Sequence, residues 1–314
     1  MVKSMNAAIA GLKAHQTRLD VIGNNIANVN TWGYKTRTTN FKDSVYTNLI
    51  NGQSGNAVLG NLGGINVSQL GYGSVVSSVS ANFGASNGQY TGNDLDCMID
   101  GTGFFIVGPY RDAVDNIQAV EGENTEGQFN IANSGMLLSR VGIFTPDANG
   151  YLVDDSGNYV FGYIPDNQTP NENNVVPMNY DNLVPIRIPV NEETGEMYSI
   201  SSWRIGQSGT IIGTATNGDI VTIGQIAVAS VENPNGLNQK TGYYYEVGNN
   251  AGRCIAMQTT AATGNINSGF LEMSNTDIAS DFAAMITTQR GYQANTKIIT
   301  VTDEILEQLV NMKR

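Results

Sequence analysis

Apolar residues near the end of the chain recur at alternating steps of four and three: Ile278, Phe282, Met285, then Tyr292, Ile299, Leu306 and Val310. The positions skipped in that register, Gln289, Thr296 and Asp303, are polar. From Ser274 to Arg314 there is no proline and one glycine, Gly291. Such a pattern predicts a long helix with a coiled-coil seam. Ser274 followed by Asp277 reads as a capping start. Asp277 and Asp281 suit the positive end of the helix dipole, and Lys313 and Arg314 the negative end. A helix from Asp277 to Met312 would run about 54 Å, too long for a compact domain of this size to cover. A second apolar set, Ile286, Ile298, Val301, Ile305, Leu309 and Met312, lies off the seam. One partner helix cannot bury both stripes. An ordinary core helix wrapped by its own domain is the alternative this stretch alone leaves open.

The beginning of the chain mirrors the end. Val2, Met5, Ile9, Leu12, Leu19 and Ile26 fall on one 3-4 seam, with Gln16 and Gly23 as its polar or empty members. Ile22 and Val29 lie off it. The simplest arrangement pairs the two helices and leaves everything between as a loop-out. Gly33, within Thr31-Trp-Gly-Tyr-Lys35, is placed as the C-cap of the first helix. Residues 36–50 read as partly helical through Phe41, Val45 and Leu49, and the glycine-rich stretch 51–73 as an irregular connector.

From Val75 the period changes to two. Strands are predicted at Val75–Phe83, Gln89–Thr91, Leu95–Ile99, Gly103–Val107, Met136–Thr145, Tyr151–Val153 and Tyr159–Ile164. They are also predicted at Val184–Val190, Thr210–Ile212, Asp219–Val231 and Tyr243–Val247. Asp147-Ala-Asn-Gly150 and Asp155-Ser-Gly-Asn158 are hairpin-turn signals. The fold class is therefore α+β: long terminal helices forming a coiled-coil-like pair, and a mostly antiparallel β middle. The domains are an N-terminal helix at 1–35, a connector at 36–74, a β-rich domain at 75–270 and a C-terminal helix at 271–314. Acidic surface insertions fall at about 111–127 and 165–182.

A length of 314 residues suggests two or three folding units. Charged residues make up only 14% of them, against the usual quarter, so polar contacts rely on Gly, Asn, Ser and Thr. The net charge of −12 makes nucleic acid and anionic membrane poor partners. The acidity is concentrated between Arg111 and Glu196, whereas the first fifty residues are basic. No run reaches transmembrane length, and the start does not read as a signal peptide. Cys97 and Cys254 have no metal-like spacing and are expected as buried free thiols, although a single disulfide stays open.

Candidate chemistry is sparse. His15 is the one histidine and has no second ligand to build a metal site with. Gly101-x-Gly103 lacks the third glycine of a dinucleotide loop and leads into a strand. Asp147-x-Asn149 lacks the rest of a calcium loop. No nucleophile–base pair stands out, so an enzyme, a metal site and a cofactor site are not expected. A secreted β-rich adhesin would share the acidity but would not need helical ends with matching seams. A carbohydrate-active enzyme would need a carboxylate pair in a cleft.

Three stretches point to a family. Asp20-Val-Ile-Gly-Asn-Asn-Ile-Ala-Asn-Val-Asn-Thr-Trp-Gly-Tyr-Lys35 resembles the N-terminal signature of bacterial flagellar rod and hook proteins. Thr91-Gly-Asn-Asp-Leu-Asp96 through Ile99-Asp-Gly-Thr-Gly-Phe-Phe105 resembles their central motif. Ser274-Asn-Thr-Asp-Ile278 and Gln289-Arg-Gly-Tyr-Gln-Ala-Asn-Thr-Lys297 resemble their C-terminal signature. Asn61-Leu-Gly-Gly-Ile-Asn66 and Gly71-Tyr-Gly73 look like the connector of the hook form, with the distal rod form as the alternative. Trp32 and Cys97 depart from the family's usual choices.

The resemblance implies a self-assembling helical tube, with the terminal helices as inner layer and the β domain as outer layer. A hook of this kind is a universal joint, passing torque from rod to filament in motility. The implied partners are further copies of the chain, the distal rod protein, the hook cap and hook–filament junction proteins, and the flagellar type III export apparatus. Nucleic acid and membrane insertion are not implied. The implied location is the extracellular flagellum, reached without a cleaved signal peptide. Phe41 and Val45 resemble its export-gate motif, for which a short core helix is the competing reading. The residues expected at the polymer interface are Met5, Ile9, Leu12, Leu19, Ile22, Ile26 and Val29 in the first helix. In the last they are Ile278, Phe282, Met285, Ile286, Tyr292, Ile299, Ile305, Leu306 and Leu309.

Overall fold

The computed structural model describes residues 2–53, 64–109, 118–119, 128–131, 134–165, 178–180, 182–189, 197–260 and 263–312. Most of the two acidic insertions, residues 54–63 of the connector, and Lys313 and Arg314 lie outside the described residues. The chain forms two compact units. One comprises Met1–Val29, Thr36–Asn82 and Thr276–Arg314, and the other Asn30–Lys35 and Phe83–Asn275.

The first unit is built on α1 (Val2–Ala27) and α2 (Ile278–Asn311). At 1.5 Å per residue the 34 residues of α2 span about 51 Å. Asp277, not Ser274, is its N-cap: the carboxylate accepts from Ala279 N at 3.0 Å, satisfying one of the otherwise unpaired first-turn donors.

Residues 36–50 are not helical. They form β1 (Arg37–Asp43) and β2 (Tyr46–Ile50), which run antiparallel to β4 (Ser74–Ala81) and β3 (Ser68–Gly71) respectively. Ser44 N donates to Gly73 O at 2.8 Å and Tyr72 N to Val45 O at 3.1 Å, which joins the two pairs into one long ribbon. The helical expectation failed because Phe41, Val45 and Leu49 happen to be four apart. The inward positions of β1 are Arg37, Thr39 and Phe41, so polar residues hide the alternation that would mark a strand. Gly73 has φ +101°, and a Cβ there would stand 2.9 Å from Ala7 O, so this crossing of ribbon and α1 requires glycine.

The second unit holds the main core. Its centre is the strand β7 (Phe104–Gly108), every residue of which is buried; β5 (Gly88–Tyr90) and β6 (Cys97–Asp100) precede it. Phe105 and Val107 enter one apolar cluster with Phe144, Val160, Ile211 and Ile226. Phe104 and Ile106 enter another with Phe129, Leu138, Phe161 and Tyr163. The sheet is thus covered on both faces, which explains a run of four large apolar residues without alternation. β7 pairs antiparallel with Leu137–Ser139, Tyr159–Tyr163 and Val228–Val231. Beyond these the sheet continues through Ile220–Ile226, Thr210–Ala215 and Ile200–Ile205 on one side, and Cys254–Met257 on the other.

Both predicted hairpin turns are present. Gly150 (φ +80°) closes the first, its N–H donating to Asp147 O at 2.9 Å. In the second, Asp154 accepts from Ser156 N and Asn158 N, and Gly157 has φ +83°. β5 pairs with Phe270–Glu272 and β6 with Asn265–Ser268. Strands at Ile200–Ile205, Cys254–Met257 and Asn265–Glu272 were not expected from the sequence. The predicted strand Val184–Val190 shortens to Val184–Pro185, because proline cannot donate to a ladder.

Gly101 and Gly103 are explained by packing. A Cβ on Gly101 would lie 2.5 Å from both Gly264 Cα and Thr263 O, and Gly103 N donates to Thr263 O at 3.0 Å. The neighbour is backbone and has little room to yield. Gly101→Ala is expected to lower stability of this unit by about 1–3 kcal/mol. An unchanged urea midpoint would refute that reason for the glycine.

Candidate functional site: helix faces and a buried ion cluster

The helices α1 and α2 lie side by side. A Cβ on Gly11 would stand 2.8 Å from Asn295 Nδ2, and one on Gly291 2.8 Å from His15 Cε1. The Asn25 side chain lies beside the Asp281 carboxyl. Contacts of 11 with 295, 15 with 291 and 25 with 281 make the pair antiparallel. Burial pushes the Asp281 carboxyl up, Asn25 opposes this and Asp277 adds to it. Thr288 and Thr302 are buried on α2, and each hydroxyl donates to its own helix, to Ala284 O and Ile298 O.

The contact seam therefore differs from the one read in the sequence. It uses small or polar residues, Gly11, His15 and Asn25 against Asp281, Thr288, Gly291, Asn295 and Thr302. Glycine lets the backbones approach closely, and the large apolar side chains are displaced to the flanks. Ile278, Phe282, Ile286, Ile305, Leu306 and Leu309 are exposed, as is Ile9. Met5, Leu12, Leu19, Ile26, Val29, Met285, Tyr292 and Ile299 are half-buried. Ile22 departs from expectation. It is 5% exposed and belongs to the unit's own interior, so it cannot offer a face to another molecule.

The balance of this unit is unusual. Among the described residues its buried hydrophobic side chains are Ala8, Ala14 and Ile22. Of the described large hydrophobic side chains that stand exposed, twenty belong to this unit and six to the other. A surplus of exposed apolar side chains on that scale points to an interaction face. Phe41 is half-buried on β1, its ring 5.8 Å from that of His15 and under the Arg18 guanidinium at 5.6 Å. Val45 lies beyond the end of β1 and is 72% exposed, so the two residues do not share a helix face.

A second feature was not read from the sequence. In the β unit Lys35, Arg140 and Glu272 form a fully buried cluster. Lys35 Nζ is 2.7 Å from Glu272 Oε1 and donates to Gly84 O at 2.8 Å. Arg140 Nε lies 3.6 Å from Glu272 Oε2. Its other nitrogens donate to Gly103 O at 2.7 Å and Gly101 O at 2.8 Å, and its guanidinium stands 5.2 Å from the Phe104 ring centroid. Ser86 N donates to Glu272 Oε1, and Gly33 N to Glu272 O at 2.8 Å. Gly33 (φ +64°) thus serves this cluster, not the end of α1, which stops at Ala27. Burial pulls the Lys35 ammonium below its ordinary value, helped by Arg140 and opposed by Glu272. The cluster gathers the segments through which the chain enters and leaves the β unit: Gly33–Lys35, Phe83–Ser86 and Glu272–Asn275.

The central motif is likewise architectural. Asp96 accepts from Thr91 Oγ1 at 2.6 Å and from Asn93 Nδ2 at 3.0 Å, while Thr91 N and Gly269 N complete the link to the returning strand. Cys97 and Cys254 are free and buried; burial pushes both thiols up, Cys254 to about 12.

One unit of paired terminal helices with unburied apolar flanks, and a β unit locked by an internal ion cluster, define a protein of the α+β class. Comparison with known families narrows this. Residues 5–35 match the family described as Flagella basal body rod protein, and residues 267–312 match the family Flagellar basal body rod FlgEFG protein C-terminal. A flagellar basal-body rod protein FlgG of Bacillus subtilis is 34% identical over 316 residues, covering the whole of both chains. A flagellar hook protein FlgE of Borreliella burgdorferi is 27% identical over 444 residues, again covering both chains completely. A rod protein FlgG of Agrobacterium fabrum is 29% identical over 309 residues, covering 97% of each chain. The chain belongs to the flagellar rod and hook protein family. The two matched segments contain α1 with Lys35, and Glu272 with α2.

Proposed function

We propose that this chain is the structural subunit of the flagellar hook, assembling with copies of itself into a flexible helical tube that passes torque from rod to filament. The observation that carries the assembly is the surplus of exposed apolar side chains on the helical unit. Burying one such side chain gains about 1.5–3 kcal/mol before ordering costs. Heterologous contacts that do not close propagate as a helix. A coiled-coil-like seam on the outer flanks of α1 and α2 is completed by neighbouring copies. The β unit exposes few large apolar residues, so contacts between β units are polar and wet and can slide, as bending requires. The resemblance of Gly71-Tyr-Gly73 to the hook connector, and hook relatives spanning the whole chain, support this position.

The same reading places the distal rod protein, the cap and the hook–filament junction proteins at the ends of the tube. It also makes the type III export apparatus the route outward, with Phe41 and Val45 as its docking motif. The distal rod is the second reading, favoured by the 34% identity to a protein named as a rod component. Electron microscopy of polymer grown from purified chain separates the two. Curved, bendable tubes are expected for a hook and straight, stiff ones for a rod. A chain that stays monomeric at high concentration would overturn both.

A further inference from the structure

A groove of about 450 Å³ runs along α1 beside β4, lined by Asn6, Ile9, Ala10, Lys13, Val75 and Val76. Its floor is apolar, with Ile9 and Val75 part-exposed, and Lys13 stands on its wall. It lies where α1 borders β4, and Gly11 and Gly291, at the close approach of α1 to α2, are not among its lining residues. Resting on the polymer reading above, we infer that this groove receives the last three turns of α2 from a second copy of the chain.

The occupant is chosen by two observations. Among the described residues the end of α2 carries a long exposed apolar run: Ile298, Val301, Ile305, Leu306, Leu309, Val310 and Met312. Within it Ile305, Leu309 and Met312 are spaced by four and three, so they form one stripe that enters a groove as successive anchors. Charge is complementary as well. Lys13 is exposed, Glu304 flanks the stripe and Glu307 follows one turn on, and none of the three forms an ion pair among the described residues. A lysine at the wall and glutamates beside the anchors set register and polarity more than strength.

The test is disulfide trapping in the full-length chain. Cys97 and Cys254 are buried, with thiols held protonated, so they compete little. Ala10→Cys with Leu309→Cys should yield covalent dimers and ladders under mild oxidation of polymer and none in dilute monomer. Ala10→Cys with Phe282→Cys should not. Polymer that forms but traps only the Phe282 pair, or neither, overturns the groove assignment and leaves the polymer reading standing. Wild-type chain that never polymerises overturns both. Charge reversal gives an independent readout should the cysteine pair impair assembly. Lys13→Glu and Glu304→Lys should each raise the critical concentration about threefold or more, and the double variant should restore it. Additive losses without rescue count against the pairing.

Discussion

Replacing Ile305 and Leu309 by aspartate should abolish assembly at concentrations where the wild-type chain polymerises, and leave the fold of the β unit intact. Both side chains are exposed in the single chain, at 43% and 42%, so the substitutions remove little from its own interior. In the polymer they would forfeit about 1.5–3 kcal/mol each, and a buried carboxylate adds to the penalty. A combined loss of about 3–6 kcal/mol corresponds to a 10²- to 10⁴-fold weaker contact. Sedimentation measures this as a rise in critical concentration. Equal assembly by variant and wild type would sink the view that these flanks hold copies together. A lowered melting temperature of the β unit would mean that the effect came from misfolding instead.

The second large effect should come from Glu272→Gln. Among the described residues Glu272 is the one acidic partner of two buried cations, Lys35 and Arg140. Neutralising it leaves both without a counter-charge in a place water does not reach. Removing one partner of a buried pair costs about 3–5 kcal/mol. For a unit of this size that is a fall in melting temperature of roughly 6–20 °C. Lys35→Met should cost less, because Glu272 then remains balanced by Arg140. The exposed pair Lys240–Glu246, at 2.9 Å, serves as control, and Glu246→Gln should change stability by less than about 1 kcal/mol. If Glu272→Gln and Glu246→Gln melt alike, the cluster is not what secures the β unit.

The terminal helices, β7 and the two hairpin turns were legible because each rests on local pattern: a 3-4 alternation, an unbroken apolar run, and Asp-x-x-Gly chemistry. The ribbon was not, since Arg37 and Thr39 occupy inward positions of β1 that a strand would usually give to apolar residues. The helix–helix contact was misread for a related reason. Hydrophobic periodicity finds the greasiest stripe, but the pair meets through Gly11, Gly291 and Asn295, whose value is closeness and not oiliness. Ile22 was assigned outward on the same logic and is buried. The ion cluster left no trace in the pattern. Lys35, Arg140 and Glu272 are far apart in sequence, and only the closing of the β unit brings them together. The family, by contrast, was recognisable from the residues around α1, Asp96 and α2, and those motifs now have reasons. Lys35 and Glu272 anchor the ends of the β unit, Asp96 staples a strand crossing, and Gly101 permits backbone to touch backbone.

The sparing way in which α1 meets α2 carries a consequence for how such subunits exchange partners. Thr288 and Thr302 have already spent their hydroxyls on their own helix, and glycine offers nothing to lose. At these polar and glycine positions, sliding one helix off the other therefore breaks no hydrogen bond between the two helices. On the polymer reading proposed above, a sister molecule's helix can then compete for that berth, and the contact is one that neighbours could trade.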